Sequence, residues 1–227
     1  VAATRTATVM VVATPFASLI WSLNRTATET PVVAIDDLTS SVVVQTADPG
    51  MLTRLDLASG NVLWEVPVSG GNPSAPTIIP GVEVVFGTVN LPNGWVYGYN
   101  LETGSKLWGL SLRGAPSAAS FDGVDALYFA AVGNYSGWAN QYVRMDRAGL
   151  QNWKVDAPNQ SRTCPVILKS GLLVYGGGSF NRSITAVRAS DGAVVWSFDT
   201  GGEAFMEPSL GPGGRILATS RSERIFA

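Results

Sequence analysis

The stretch "NLETGSKLW", Asn100–Trp108, makes a tight turn at Glu102-Thr103-Gly104 and reaches a tryptophan four residues after the glycine. Almost the same text stands at "DLASGNVLW", Asp56–Trp64, and at "RASDGAVVW", Arg188–Trp196. A version one residue shorter reads "DRAGLQNW", Asp146–Trp153. A fifth copy, "MVVATPFASLIW", Met10–Trp21, keeps the hydrophobic residues but has no turn glycine. Trp21, Trp64, Trp108, Trp153 and Trp196 therefore recur at spacings of 43, 44, 45 and 43 residues. A fixed period of this length is the first signal to read, because it decides the architecture.

Outward from each tryptophan the text repeats as well. Downstream lies a proline or small-residue segment ("SAPTII", "APSAAS", "CPVIL", "EPSL"), and after it an apolar run ("VEVVFGT", "DALYFAAV", "GLLVYGG", "RILATS"). These runs are rich in Val, Ile, Leu, Tyr and Phe and are bounded by Gly, Pro, Asn, Asp and Ser, which is strand and turn chemistry. Each unit holds four short strands, A to D. Tight A–B links are expected at 36–41, 80–81, 122–123, 169–171 and 211–214, and the C–D links are the glycine turns. No segment keeps a helical period, so the chain is read as all-β. Four-stranded units of 40 to 45 residues predict β-propeller blades. The residues after Trp196 together with those before Trp21 amount to about one further unit. This predicts a single domain over 1–227, five blades closed by pairing of Val9–Thr14 and Leu19–Leu23 with Arg215–Thr219 or Arg224–Phe226. The rival is an open arc of a larger ring.

The turn pattern A-x-D-x-x-T-G-x-x-x-W resembles the tryptophan-docking motif of the quinoprotein (PQQ-like) β-propeller repeat family. It matches here as Arg54, Asp56, Ser59, Gly60, Trp64, then as Gly98, Asn100, Thr103, Gly104, Trp108, and as Ala186, Arg188, Asp191, Gly192, Trp196. The Trp153 copy contributes Asp146 and Gly149. The resemblance implies tryptophans packed between neighbouring blades. Gly60, Gly104, Gly149 and Gly192 would supply the positive φ that the turn needs. Enzymes of this family are typically eight-bladed, hold a quinone over an adjacent cysteine pair and bind Ca²⁺ around a catalytic Asp. This chain has a single cysteine, Cys164, and no matching acid–amide cluster. A non-catalytic member, with no cofactor and no metal, is therefore expected.

Composition agrees with that reading. There is no histidine, which removes His-based acid–base catalysis, Ser–His and Cys–His pairs and most zinc ligation. Cys164 beside Pro165 reads as a small buried hydrophobe. The A strands expected to line the funnel carry no acid; Glu207 is the nearest exception, and glycoside hydrolysis needs two carboxylates. Asp36-Asp37 and Asp122/Asp125 read as turn residues. The net charge is −2 with no basic cluster, against a nucleic-acid surface, and no apolar run reaches the length of a membrane span. The chain begins at Val1 and is read as processed or as a fragment.

The B–C loops carry the individuality. Trp95, Tyr135, Trp138 and Phe180 lie off the 44-residue beat and are a candidate ligand surface for a sugar or a protein. Sequons stand at Asn24, Asn134, Asn159 and Asn181. In a four-stranded blade the A–B and C–D turns share one face. All four sequons map to the other face, which leaves the short-turn face bare for protein contact. The expected function is a secreted, extracellular or periplasmic scaffold for a protein partner or self-assembly, carrying N-linked glycans. Its alternatives are a carbohydrate-binding propeller and a fragment of a quinone-cofactor dehydrogenase.

Overall fold

The computed structural model describes residues 5–13, 18–27, 31–47, 49–71, 73–90, 93–133, 139–158, 160–161, 163–177, 182–204, 207–222 and 224–226. It is all-β, with antiparallel sheets arranged as successive blades. The first sheet pairs β1 (Arg5–Ala13) with β2 (Ser18–Ala27). Blade 1 runs β3 (Val32–Asp36), β4 (Ser41–Thr46), β5 (Met51–Asp56), β6 (Val62–Pro67). Blade 2 runs β7 (Thr77–Ile79), β8 (Glu83–Asn90), β9 (Asn93–Asn100), β10 (Lys106–Leu112). In blade 3 strand A is broken into β11 (Ala115–Pro116) and β12 (Ser120–Phe121), which both pair with β13 (Ala126–Val132); β14 (Gln141–Asp146) and β15 (Gln151–Asp156) follow. Blade 4 runs β16 (Val166–Ile167), β17 (Leu172–Tyr175), β18 (Ser183–Arg188), β19 (Val194–Asp199). A three-stranded sheet of β20 (Ser209–Leu210), β21 (Ile216–Ser220) and β22 (Arg224–Phe226) ends the order. Among the described residues no helix is long and apolar enough to cross a membrane.

Blades stack face to face, so the core lies between them rather than inside any one sheet. Val43 and Leu52 of blade 1 meet Val84, Phe86, Tyr97 and Tyr99 of blade 2. Val85 and Val96 of blade 2 meet Leu127, Phe129, Val143 and Met145 of blade 3. Tyr128 and Tyr142 of blade 3 meet Leu173, Tyr175 and Val187 of blade 4. Inner strands are covered on both faces, which is why β4 and β13 are buried throughout and read as unbroken apolar runs. The outer strand β15 instead alternates between half-buried and exposed residues.

The terminal strands differ from the closure expected from sequence. β1 has β2 as its sheet partner, while β21 has β20 on one side and β22 on the other. β20 pairs with Ile216 and Leu217, β22 with Ala218–Ser220, and no ladder joins the N- and C-terminal strands among the described residues.

Candidate functional site

Each outer strand carries a one-residue bulge immediately before its tryptophan. In blade 1, Arg54 pairs with Trp64 and Leu55 with Val62, which leaves Leu63 unpaired. Leu107, Asn152 and Val195 are skipped in the same way in blades 2, 3 and 4, and Ile20 in the β1–β2 sheet. A bulge bends the strand and re-aims the following side chain. Here it turns the indole along the blade stack.

The indole of one blade reaches the C–D turn of the next. Trp21 Nε1 donates to the Leu57 carbonyl at 2.8 Å, Trp64 to Leu101 at 2.8 Å, Trp108 to Arg147 at 2.9 Å and Trp153 to Ala189 at 3.0 Å. The turn glycines sit directly under these rings. A β-carbon on Gly60, Gly104, Gly149 or Gly192 would come within 2.6–2.8 Å of Trp21, Trp64, Trp108 or Trp153 respectively. All four glycines also have φ between +69° and +82°. Sequence reasoning assigned them the positive φ and missed the second constraint, the indole arriving from the preceding blade. Trp196 is the exception: it is 36% exposed, on a strand exposed along its length. The sheet after it has three strands and supplies no C–D glycine turn among the described residues.

The turns themselves are pinned. Asp56 accepts from Ser59 N and Oγ, and these bonds hold its carboxyl below the usual aspartate range. Asn100 accepts from Thr103 in the same geometry, and Asp122 from Val124, Asp125 and Ala126 N–H. C–D turns are tied to A–B turns of their own blade: Leu57 N to Ser40 O, Leu101 N to Val82 O, Ala189 N to Gly171 O. This rigid turn face displays apolar residues. Leu38 and Val124 are 72% and 77% exposed, and Ile35, Val82 and Leu150 are exposed as well. Ile35, Leu38, Ile78 and Pro80, together with Asp36 and Asp37, line a cleft of about 480 Å³ between the A–B turns of blades 1 and 2. Buried Asp36 bridges those turns, accepting from Thr39 Oγ1 and from Gly81 N of the next blade.

The A strands are joined by small hydroxyls. Thr77 Oγ1 donates to Ala119 O, and Ser120 Oγ to Pro165 O. Cys164 is half-buried rather than fully buried; burial, then the neighbouring Glu207 carboxylate, pushes its thiol up to about 12. A thiol held in that state is not a nucleophile at neutral pH. Among the described residues no three carboxylate or thiol groups converge as a metal site.

Of the off-beat aromatics, Trp95 lies on β9 rather than in a loop. It is half-buried and stacks on Tyr97 at 5.7 Å with planes 7° apart, so one ring face is already occupied. Tyr135, Trp138, Phe180, Asn134, Asn159 and Asn181 lie outside the described residues. Asn24 falls on β2, where the backbone alone is described.

A family model described as "Outer membrane protein assembly factor BamB" matches residues 5–133 and 92–227. The chain belongs to this PQQ-like propeller-repeat family. Within the family, the outer membrane protein assembly factor BamB of Shewanella oneidensis is 27% identical over 175 residues, 66% of this chain. The chain spans 39% of that relative's length. Among solved structures, Hsv2 of Kluyveromyces marxianus aligns with TM-score 0.65 at 11% identity, covering 92% of this chain and 61% of that one. The Cps50 (Swd1) β-propeller domain of Myceliophthora thermophila aligns with TM-score 0.63 at 13% identity, covering 84% and 63%. A europium-containing methanol dehydrogenase aligns with TM-score 0.58 at 14% identity, covering 80% and 45%. These likenesses show the propeller fold, which hosts enzymes and binding proteins alike.

Proposed function

We propose that this chain is a non-catalytic propeller scaffold that binds a protein partner through its A–B/C–D turn face, in an extracytoplasmic compartment. The observation that carries the reading is the turn face. Its backbone is fixed by hydrogen bonds, yet Leu38, Val82, Val124 and Leu150 stand exposed at successive turns. Exposed apolar residues grouped on a rigid surface mark an interaction site. The family supports the role, since the Shewanella relative is named as an assembly factor for outer membrane proteins. The absence of histidine and the protonated Cys164 thiol support a binding role over a catalytic one. A photo-crosslinking residue placed at 38 or 124 in the native cell envelope should give one discrete protein adduct. The same residue at 69, on the opposite face, should give none. Equal labelling at the three positions, or none at all, refutes the turn face as the docking surface. Glycans at Asn24, Asn134, Asn159 and Asn181 belong to the same proposal. An intact mass equal to that of the bare polypeptide removes them from it.

A further inference from the structure

Every docked indole covers a slot on its own blade, and blade 2 fills that slot differently from its neighbours. In blade 1 the residue paired with Trp64 is Arg54, whose guanidinium donates to Ser41 Oγ, Thr39 Oγ1 and Leu101 O. Leu101 O is also the acceptor for Trp64. Blade 3 has Arg144 at this position and blade 4 has Ala186. In blade 2 the residue paired with Trp108 is Gly98, and the missing side chain makes room for Glu83 from β8. A β-carbon on Gly98 would lie 2.0 Å from Glu83 Oε1 and 2.4 Å from Trp108 Nε1, so the carboxyl and the indole share one small space. Glu83 is 2% exposed, and the one donor beside its Oε1 is the Trp108 indole N–H, which is aligned on Arg147 O and leaves the oxygen without a well-formed hydrogen bond.

We infer that the seam between blades 2 and 3 is a protonation-sensitive joint, held closed by neutral Glu83 and loosened when Glu83 ionises. From β9 the facing residues are Gly98 and Asn100, and from β10 Trp108, none of them charged. From the turn of blade 3 comes Arg147, the cation whose field favours the ionised form. Arg147 is solvent-exposed and is shared with Asp125 at 3.6 Å. Asp146, beside it, spends its carboxylate on Leu150 N. Lys106 stands over the Tyr97 ring, on the other face of the sheet. Burial outweighs both the Trp108 indole N–H and the field of Arg147, which favour the ionised form, and the Glu83 carboxyl is raised from 4.5 to about 7.

The direction of the pH effect follows. The folded state holds its proton more tightly than the unfolded chain. Stability from this group is complete below pH 4.5, declines as the pH climbs toward 7, and is flat above. Urea unfolding of the native protein and of Glu83→Gln, which keeps the shape and cannot ionise, measures it. The two unfolding constants should be alike at pH 4.5 and diverge to a plateau above pH 7.5. The native protein should become less stable there by up to roughly 300-fold, the equivalent of two and a half pKa units. The exchange of the Trp108 indole proton, relative to that of Trp64, should quicken over the same range in the native protein and not in the variant. Parallel pH curves for the two proteins overturn the proposal. Where Glu83→Gln does not fold, ¹³C carboxyl titration of the unmodified protein decides. One glutamate with a midpoint near 7 supports the joint, and all glutamates titrating below 5.5 refutes it.

Discussion

Gly104 stands at φ +69° with the Trp64 ring 2.8 Å from the place of a β-carbon. Gly123 stands at φ +84° in the A–B turn of blade 3, with nothing within 4 Å of that place. The pair separates backbone strain from contact. Gly123→Ala should cost the left-handed conformation alone, about 1–2 kcal/mol. Gly104→Ala meets the same strain and must also push an indole off its carbonyl. It should cost clearly more, with the about 3–5 kcal/mol of losing a fully buried aromatic as the ceiling for this half-buried ring. Equal urea midpoints for the two variants would mean that the ring does not bear on the glycine. Asp56 gives the acid-side counterpart of Glu83. Its carboxyl is held low by Ser59, so its contribution is present above its ordinary value and disappears as the pH falls through the lowered one. Asp56→Asn should flatten the acid limb of the stability curve while leaving the limb above pH 5 unchanged.

At the scale of the strand, the bulge is the device that makes the seam. Removing Leu107 would restore simple alternation to β10 and send Trp108 to the opposite face, because a one-residue shift inverts a strand. That deletion should destabilise the protein about as much as Trp108→Ala, with the about 3–5 kcal/mol of a fully buried aromatic as the ceiling for this half-buried ring. A deletion variant that melts like the native chain would show that the bulge does not aim the ring. The bulge also marks how far the text can be read. The period, the four strands per unit and the glycine turns are written locally, in alternation and turn chemistry, and they appear in the structure. The bulge is written too, but faintly: Leu63-Trp64, Leu107-Trp108 and Val195-Trp196 place apolar residues side by side where a strand should alternate, while Asn152-Trp153 gives no such sign. Nothing local says that Trp21 will meet Leu57 or Trp64 will meet Leu101, since these contacts form only when whole sheets dock. Glu83 was hidden for the same reason. In "VEVVFGT" it is a single acid in an apolar strand with nothing local to mark it as buried, and its burial depends on Gly98 across the sheet and on a ring from β10.

For the molecule as a whole, the four-stranded blades are braced on both sides, while the β1–β2 and β20–β22 sheets have fewer strands and, among the described residues, no ladder between them. A two-stranded sheet is marginal by itself, and the β20–β22 sheet is joined by ladders of only two and three residue pairs. Native-state hydrogen exchange should therefore be fastest in β1, β2, β21 and β22 and slowest in β4, β8 and β13. Uniform protection along the chain would indicate that the terminal sheets join, as the closed-ring expectation had it. The seams also have a sense of direction. From Trp21 to Trp153 the ring of one sheet lands on the glycine turn of the following blade, so each of these four seams joins a latch on one side to a catch on the other. No single junction encodes how many units there are. A lineage built this way can lengthen or shorten by whole repeats, since a duplicated unit brings a fitting latch and catch with it. Size is then a quantity that recombination can change in one step, while the chemistry of every joint stays as it was.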